Sequence, residues 1–267
     1  MSLFLETTAQ VARTLGSYRE REKHFSVCGE CKLLSSTYVL GEFKKTFLHD
    51  AVIFHTILTD SESTSEALDR AQRYPGRKTN RMYTLFARLA EDNNMEREML
   101  LEKLETLIEW QLENRFRYGL TDVLDKTHCT RAAWTTAKTD GVYGLQMSCT
   151  KAAPPECGIV TFWDEHRECL ERIVAVLEEY DVEDSDERDR VVEECTGVLS
   201  GGQPQGRTCE ALADAIMAIE CPEDAQLQTT NAKHFGVLCE AMGRSMRVWR
   251  WDPKEEGSGE LTGTEDD

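Results

Sequence analysis

LADAIMAIECPEDAQLQTTNAKHFGVLCEAMGR, Leu212 to Arg244, is the stretch whose reading decides the fold. Leu212, Ile216 and Ile219 recur at i, i+4 and i+7, so one face of a helix beginning near Pro204 is buried. A short strand, Gln226 to Thr229, follows. Then come the turn Thr229-Thr230-Asn231, a second helix from Ala232 to Met242 and a closing strand from Met246 to Trp249. Glu210 and Asp214 sit four residues apart on a neighbouring stripe of the first helix, where like charges repel unless a cation or solvent offsets them. Taken alone, such a pair reads as a solvated acidic flank. The polar Thr-Thr-Asn at the carboxyl end of a strand adds weight to a functional reading, because open α/β sheets place their ligands there.

The amino-terminal end supplies matching pieces. Ser2 to Leu5 reads as a short buried strand that delivers Glu6 at its carboxyl end, with Thr7 and Thr8 as turn and cap residues for Ala9 to Leu15. Gly16 to His24 is strongly charged and reads as loop or exposed helix. A helix capped by Ser35 or Ser36 carries the apolar stripe Val39, Leu40, Phe43 and Phe47, and Glu42 lies beside that stripe. Lys44 and Lys45 are surface charges or phosphate contacts.

The run 212–244 resembles the carboxyl-terminal half of a PIN-domain nuclease: an Asp-bearing helix, a strand, a Thr-x-Asn/Asp turn and an xKxF helix start. SLFLETTAQVARTLGS resembles the first strand and turn of that family, and LLSSTYVLGEFKKTFL its glutamate-bearing second element. The resemblance implies an α/β fold with a PIN-like (Rossmannoid) three-layer core, a short parallel sheet and a mostly helical insertion. It implies that Glu6, Glu42, Asp214 and Asn231 form a cluster holding Mg²⁺ or Mn²⁺, with Glu210 as a supplementary ligand. The activity implied is metal-dependent hydrolysis of phosphodiester bonds, most readily in RNA or other single-stranded nucleic acid, as in the effector of a microbial toxin or defence system with its antitoxin. Two departures bear on this. The first-strand acid is usually Asp, and Glu6 reaches further; Asn231 is neutral. They keep open a catalytically weak PIN-like scaffold that binds a partner protein through its insertion.

On this reading residues 1–58 and 203–252 form a discontinuous core around an insertion, 59–202, and 253–267 is a disordered acidic tail rich in Gly, Ser, Glu and Asp. Within the insertion, Ser63 to Tyr74 reads as a helix stopped by Pro75-Gly76. Thr79 to Phe116 reads as a long helix or a pair broken at Asp92-Asn93-Asn94, and Phe162 to Tyr180 and Asp184 to Leu199 as two more helices. Arg73, Arg77, Lys78 and Arg81 concentrate positive charge and form the candidate nucleic-acid track, with a salt-bridged structural face as the other reading. Thr121 to Gly158 is the least regular segment. Its Cys129, Cys149 and Cys157 form a candidate zinc site completed by His128, Cys28 or Cys31, or else remain unligated thiols. An unrelated helical α/β protein with such a cysteine-bearing insert is the third reading of the chain.

Composition constrains these readings. A net charge of −18 across 267 residues argues against broad nonspecific nucleic-acid binding, which needs clustered Lys and Arg to displace phosphate counterions. It leaves room for a local basic path beside a metal, because the ion supplies its own positive charge. Ten cysteines without a signal peptide point to a reducing, cytoplasmic setting in which thiols stay free. No stretch approaches the roughly 18 apolar residues of a membrane span. Self-association is left open. The phosphate-loop, dinucleotide and nucleophile-elbow motifs are absent, which removes nucleotide-loop and serine-hydrolase readings.

Overall fold

Leu3, Phe4 and Leu5 are consecutive, and all three are fully buried, as happens only when both faces of a strand are covered. Leu3 and Leu5 pack with Ala9, Cys28 and Leu33 in a small cluster on one face of the sheet. Phe4 points the other way, into the main core with Leu40, Phe54 and Leu227. The computed structural model describes residues 1–16, 18–90, 95–146, 149, 156–179, 185–202 and 206–249.

In chain order, β1 (Ser2–Leu5) leads into α1 (Thr7–Leu15), α2 (Tyr18–Cys28) and β2 (Lys32–Ser36). Helix α3 (Thr37–Phe43) runs through a π-helical turn, Lys44–Leu48, into α4 (His49–Thr59). Helices α5 (Thr64–Ala71), α6 (Gly76–Leu89) and α7 (Arg97–Thr106) follow, and a second π-helical turn, Leu107–Gln111, joins α7 to α8 (Leu112–Arg117). Next come β3 (Asp122–Leu124), a 3₁₀ turn (Thr130–Ala133), and a hairpin of β4 (Thr135–Thr139) and β5 (Val142–Gln146). Helices α9 (Ile159–Glu165), α10 (Arg167–Glu179), α11 (Ser185–Leu199), α12 (Gly206–Ala211) and α13 (Ala213–Glu220) precede β6 (Ala225–Thr229), α14 (Ala232–Ala241) and β7 (Met246–Val248).

The fold is α/β. Five parallel strands lie in the order β3-β2-β1-β6-β7. Leu3 stands opposite Leu33 on one side and Gln226 on the other. From β1 the chain builds outward through β2 and β3, then returns to the opposite flank to lay down β6 and β7. The direction of winding therefore reverses between β1 and β6, and the crevice beyond their carboxyl ends is where such sheets bind ligands.

Several elements differ from the sequence reading. Glu6, rather than Thr7 or Thr8, caps α1: its carboxylate accepts the backbone N–H groups of Thr8 and Ala9. The charged stretch after Gly16 belongs to α2, and its His24 is fully buried. The helix before β6 breaks at Leu212, which puts Glu210 on α12 and Asp214 in the first turn of α13. The helix expected from Phe162 breaks at His166 into α9 and α10. Within 59–202, read as an insertion, Asp122–Leu124 supplies an edge strand of the same sheet. The β4–β5 hairpin occupies part of the segment read as irregular, and its turn is Asp140-Gly141, both with positive φ, 50° and 80°. The expected break at 92–94 and the acidic tail lie outside the described residues.

Glu220 ties the outer strands to α13. Fully buried, it accepts hydrogen bonds from Ser36 Oγ at the end of β2 and from Thr127 Oγ1 (3.1 Å) just after β3. Burial pushes its carboxyl from 4.5 up to about 7, against the downward pull of those two hydroxyls and of Lys126. A raised acid binds its proton more tightly in the folded chain, so stability is lost as pH rises from 4.5 through 7 and is flat above. Glu220→Gln removes this term. Chemical denaturation should show wild type losing up to about 3 kcal/mol more than the variant between pH 4.5 and 7.5. Parallel pH profiles would contradict the assignment.

Candidate active site

The carboxyl ends of β1 and β6 present Glu6 on one side and Thr229-Thr230-Asn231 on the other. Hydroxyls stitch the two turns together. Thr230 donates its backbone N–H (3.1 Å) and its hydroxyl (2.7 Å) to Thr8 Oγ1, and Asn231 N–H donates to Thr229 Oγ1 at 2.8 Å. Asn231 thereby starts α14 with its amide side chain at the mouth of a cleft of about 430 Å³.

That cleft gathers several of the residues singled out in the sequence. Glu210, Asp214 and Asn231 all line it, and His234 Nδ1 lies 3.3 Å from Asp214 Oδ2. Arg77, Arg188, Arg190 and Lys233 bring four cations to the same walls, in a chain that is otherwise strongly acidic. Leu177, Val191 and Val237 provide its apolar surface. Among the described residues, Arg77, Arg190 and Lys233 have no carboxylate partner, so they can meet an anionic ligand without first breaking an ion pair. Arg188 is held by Asp189 at 2.9 Å.

The two amino-terminal glutamates stand differently. Glu6 is buried at the edge of the crevice, 1% exposed, with its oxygens engaged by Thr8 and Ala9. Burial raises its pKa, the Thr8 and Thr229 hydroxyls pull it back, and the nearby charge of Asp214 adds to the rise. Glu6 and Asp214 therefore share one electrostatic neighbourhood, with Asp214 facing the cleft and Glu6 behind. Glu42 does not line the cleft and is engaged by Arg131, whose Nη1 donates to its Oε1 at 2.5 Å. Burial raises the Glu42 pKa, opposed by Lys45 and Arg131 and reinforced by Glu210. Lys45 pairs with Glu210, and Lys44 is buried against the carbonyls of Ala132 and Trp134, so neither is a free phosphate contact. Among the described residues no three His, Cys, Asp or Glu side chains stand together as a ready-made metal site.

The candidate nucleic-acid track divides. Arg77 lines the cleft. Arg81 Nε pairs with the fully buried Asp50, and Lys78 Nζ approaches the same carboxylate at 3.8 Å, so these two cations are structural. Arg73 is exposed in the turn after α5 and does not line the cleft. Arg188 and Arg190, on the acidic helix α11, escaped the sequence reading, because neighbouring Glu and Asp mask their sign until the helix is placed. Lys233 and His234 directly follow Asn231 and were within reach of it.

Compared with protein-family models, curated proteins and solved structures, the chain matches none. No helix among the described residues is long and apolar enough to cross a membrane.

Removing Arg81 leaves Asp50 buried with Lys78 and His49 at 3.8 Å in place of a close partner. Arg81→Ala should cost about 3 kcal/mol in urea denaturation while leaving any affinity for nucleic acid at the cleft unchanged. A variant of wild-type stability with weakened nucleic-acid binding would reassign Arg81 to the ligand.

Proposed function

We propose that the protein is a PIN-like, metal-dependent nuclease that hydrolyses phosphodiester bonds in RNA at the cleft beside Asp214, as the effector of a toxin or defence system. The observation that carries this reading is the position of the cleft. It lies among α10 to α14 with Asn231, just past the carboxyl end of β6, on its wall, and joins carboxylates and an amide to cations that have no carboxylate partner among the described residues. The five-stranded parallel sheet agrees with the short parallel sheet that the resemblance implies.

The donor chemistry fits a hard divalent cation. Asp214, Glu210 and the Asn231 amide present oxygen, the ligand type that Mg²⁺ and Mn²⁺ prefer. A preformed cage is not required, since Mg²⁺ is commonly held by one or two carboxylates, several waters and the phosphates of the substrate. When bound there, the ion activates water and neutralises charge developing on the phosphate. The chain's own residues do the rest. Arg77, Arg190 and Lys233 draw the phosphodiester backbone into the cleft. His234, against Asp214 Oδ2, orients that carboxylate and is placed to hand a proton to a leaving oxygen. Glu6 fixes the start of α1 and, through its buried charge, sets the field behind Asp214.

One observation favours a second reading, a catalytically weak scaffold that binds a partner protein. Both amino-terminal glutamates are committed within the fold, Glu6 to the α1 cap and Glu42 to Arg131. Incubation of labelled single-stranded RNA and DNA with the protein in Mn²⁺ separates the two. The nuclease reading expects RNA cleavage that stops with chelator and falls about 100-fold in Asp214→Asn, with folding unchanged. Folded wild type that leaves RNA uncut in Mn²⁺ while a stable partner protein co-purifies would overturn it in favour of the scaffold.

A further inference from the structure

Four cysteines from separate parts of the chain meet at one small void on the far side of α3 from β1. Cys129 precedes the 3₁₀ turn, Cys149 follows the β4–β5 hairpin, Cys157 precedes α9, and Cys209 lies on α12. Together with Tyr38 and Arg131 they line a space of about 10 Å³. All four are free thiols. The Cys129 sulfur packs so closely on α3 that a Cβ on Gly41 would come within 2.9 Å of it. Tyr38, on the same helix, donates its hydroxyl to the Cys209 carbonyl at 2.5 Å.

Arg131, 2% exposed, lines the same void as the four sulfurs. Four thiols packing as small hydrophobes need no central void, and a tetrathiolate centre accounts for it, with Arg131, already paired to Glu42, standing beside it. Two units of negative charge remain after a divalent ion is bound by four thiolates, and Arg131 offsets part of that.

We propose that Cys129, Cys149, Cys157 and Cys209 bind one zinc ion, fastening the segment between β3 and α9 to helices α3 and α12. Binding releases the four thiol protons to solvent and leaves the ion four-coordinate, the closed arrangement of structural zinc sites. The void is about the size of a single small occupant. As they stand the four side chains do not form a metal-holding group, so binding requires them to close on the ion. The other candidates for the fourth ligand are engaged or elsewhere. His128 Nδ1 pairs with Asp125 at 2.9 Å, and Cys28 lies in the smaller core on the opposite face of the sheet, 3.5 Å from His24 Nδ1. Cys31 packs against that same smaller core. This inference is independent of the nuclease reading.

The test is elemental analysis of the full-length chain purified with zinc and dialysed free of excess. Equimolar zinc is expected, with Cys209→Ser losing about tenfold or more in zinc affinity and Cys31→Ser losing none. Cobalt in place of zinc should give thiolate-to-cobalt charge-transfer absorption and the visible bands of a tetrahedral ion. Should Cys209→Ser fail to fold, alkylation of the wild type decides. Cys129 and Cys157 should be protected until a chelator is added. Zinc-free folded wild type, or alkylation rates identical with and without chelator, would overturn the proposal.

Discussion

The parallel pairing of β1 with β6 is the constraint on which the molecule depends. Four residues at the amino terminus, Ser2 to Leu5, are laid against Ala225 to Gln228, so the two ends of the chain become neighbours in the middle of the sheet. Closing so long a loop is less costly than its length suggests, because the entropy cost grows only with the logarithm of length. What repays it is the burial of Leu3, Phe4, Leu5 and Leu227, all fully removed from water on a sheet covered on both faces. The same pairing sets Glu6 beside Thr229 and within electrostatic reach of Asp214.

Charge is distributed to match. The chain as a whole is strongly acidic, yet the cleft beside α13 and α14 collects arginines and a lysine from α6, α11 and α14. Other cations that look available in the sequence are used internally. Arg81 and Lys78 neutralise Asp50, Lys44 caps carbonyls and pairs with Glu113, and Arg131 holds Glu42. A net negative chain disfavours nonspecific binding of nucleic acid, so cations gathered in a cleft matter more to any anionic ligand than the overall charge does.

How much of this was legible depended on whether the signal was local. The run from Asp214 to Met242 reads correctly because helix, strand and turn each follow from residues within a few positions of one another. Strand β3 was invisible: it has three residues, none fully buried, and its place depends on pairing with β2. The hairpin carries a readable Asp140-Gly141 turn, but its two strands are mostly exposed and so show no alternating apolar face. Asp214, Asn231 and Glu210 were brought to one cleft, whereas the fate of Glu6 and Glu42 turned on short-range partners. A carboxylate one residue before a helix satisfies its free N–H groups, and Glu42 meets Arg131 only once the 3₁₀ turn is folded onto α3. The grouping of Cys209 with the three earlier cysteines spans too much sequence for any spacing rule.

The central claim is that the two ends of the chain fold together so that the Asp214 edge of the crevice receives a divalent cation. Crystals soaked in Mn²⁺ and examined by anomalous scattering test it most directly. The account predicts a peak beside the Asp214 carboxylate, within reach of Asn231 or Glu210, that disappears in Asp214→Asn. A saturating soak that leaves the cleft without a peak, or a peak indifferent to Asp214, would contradict it.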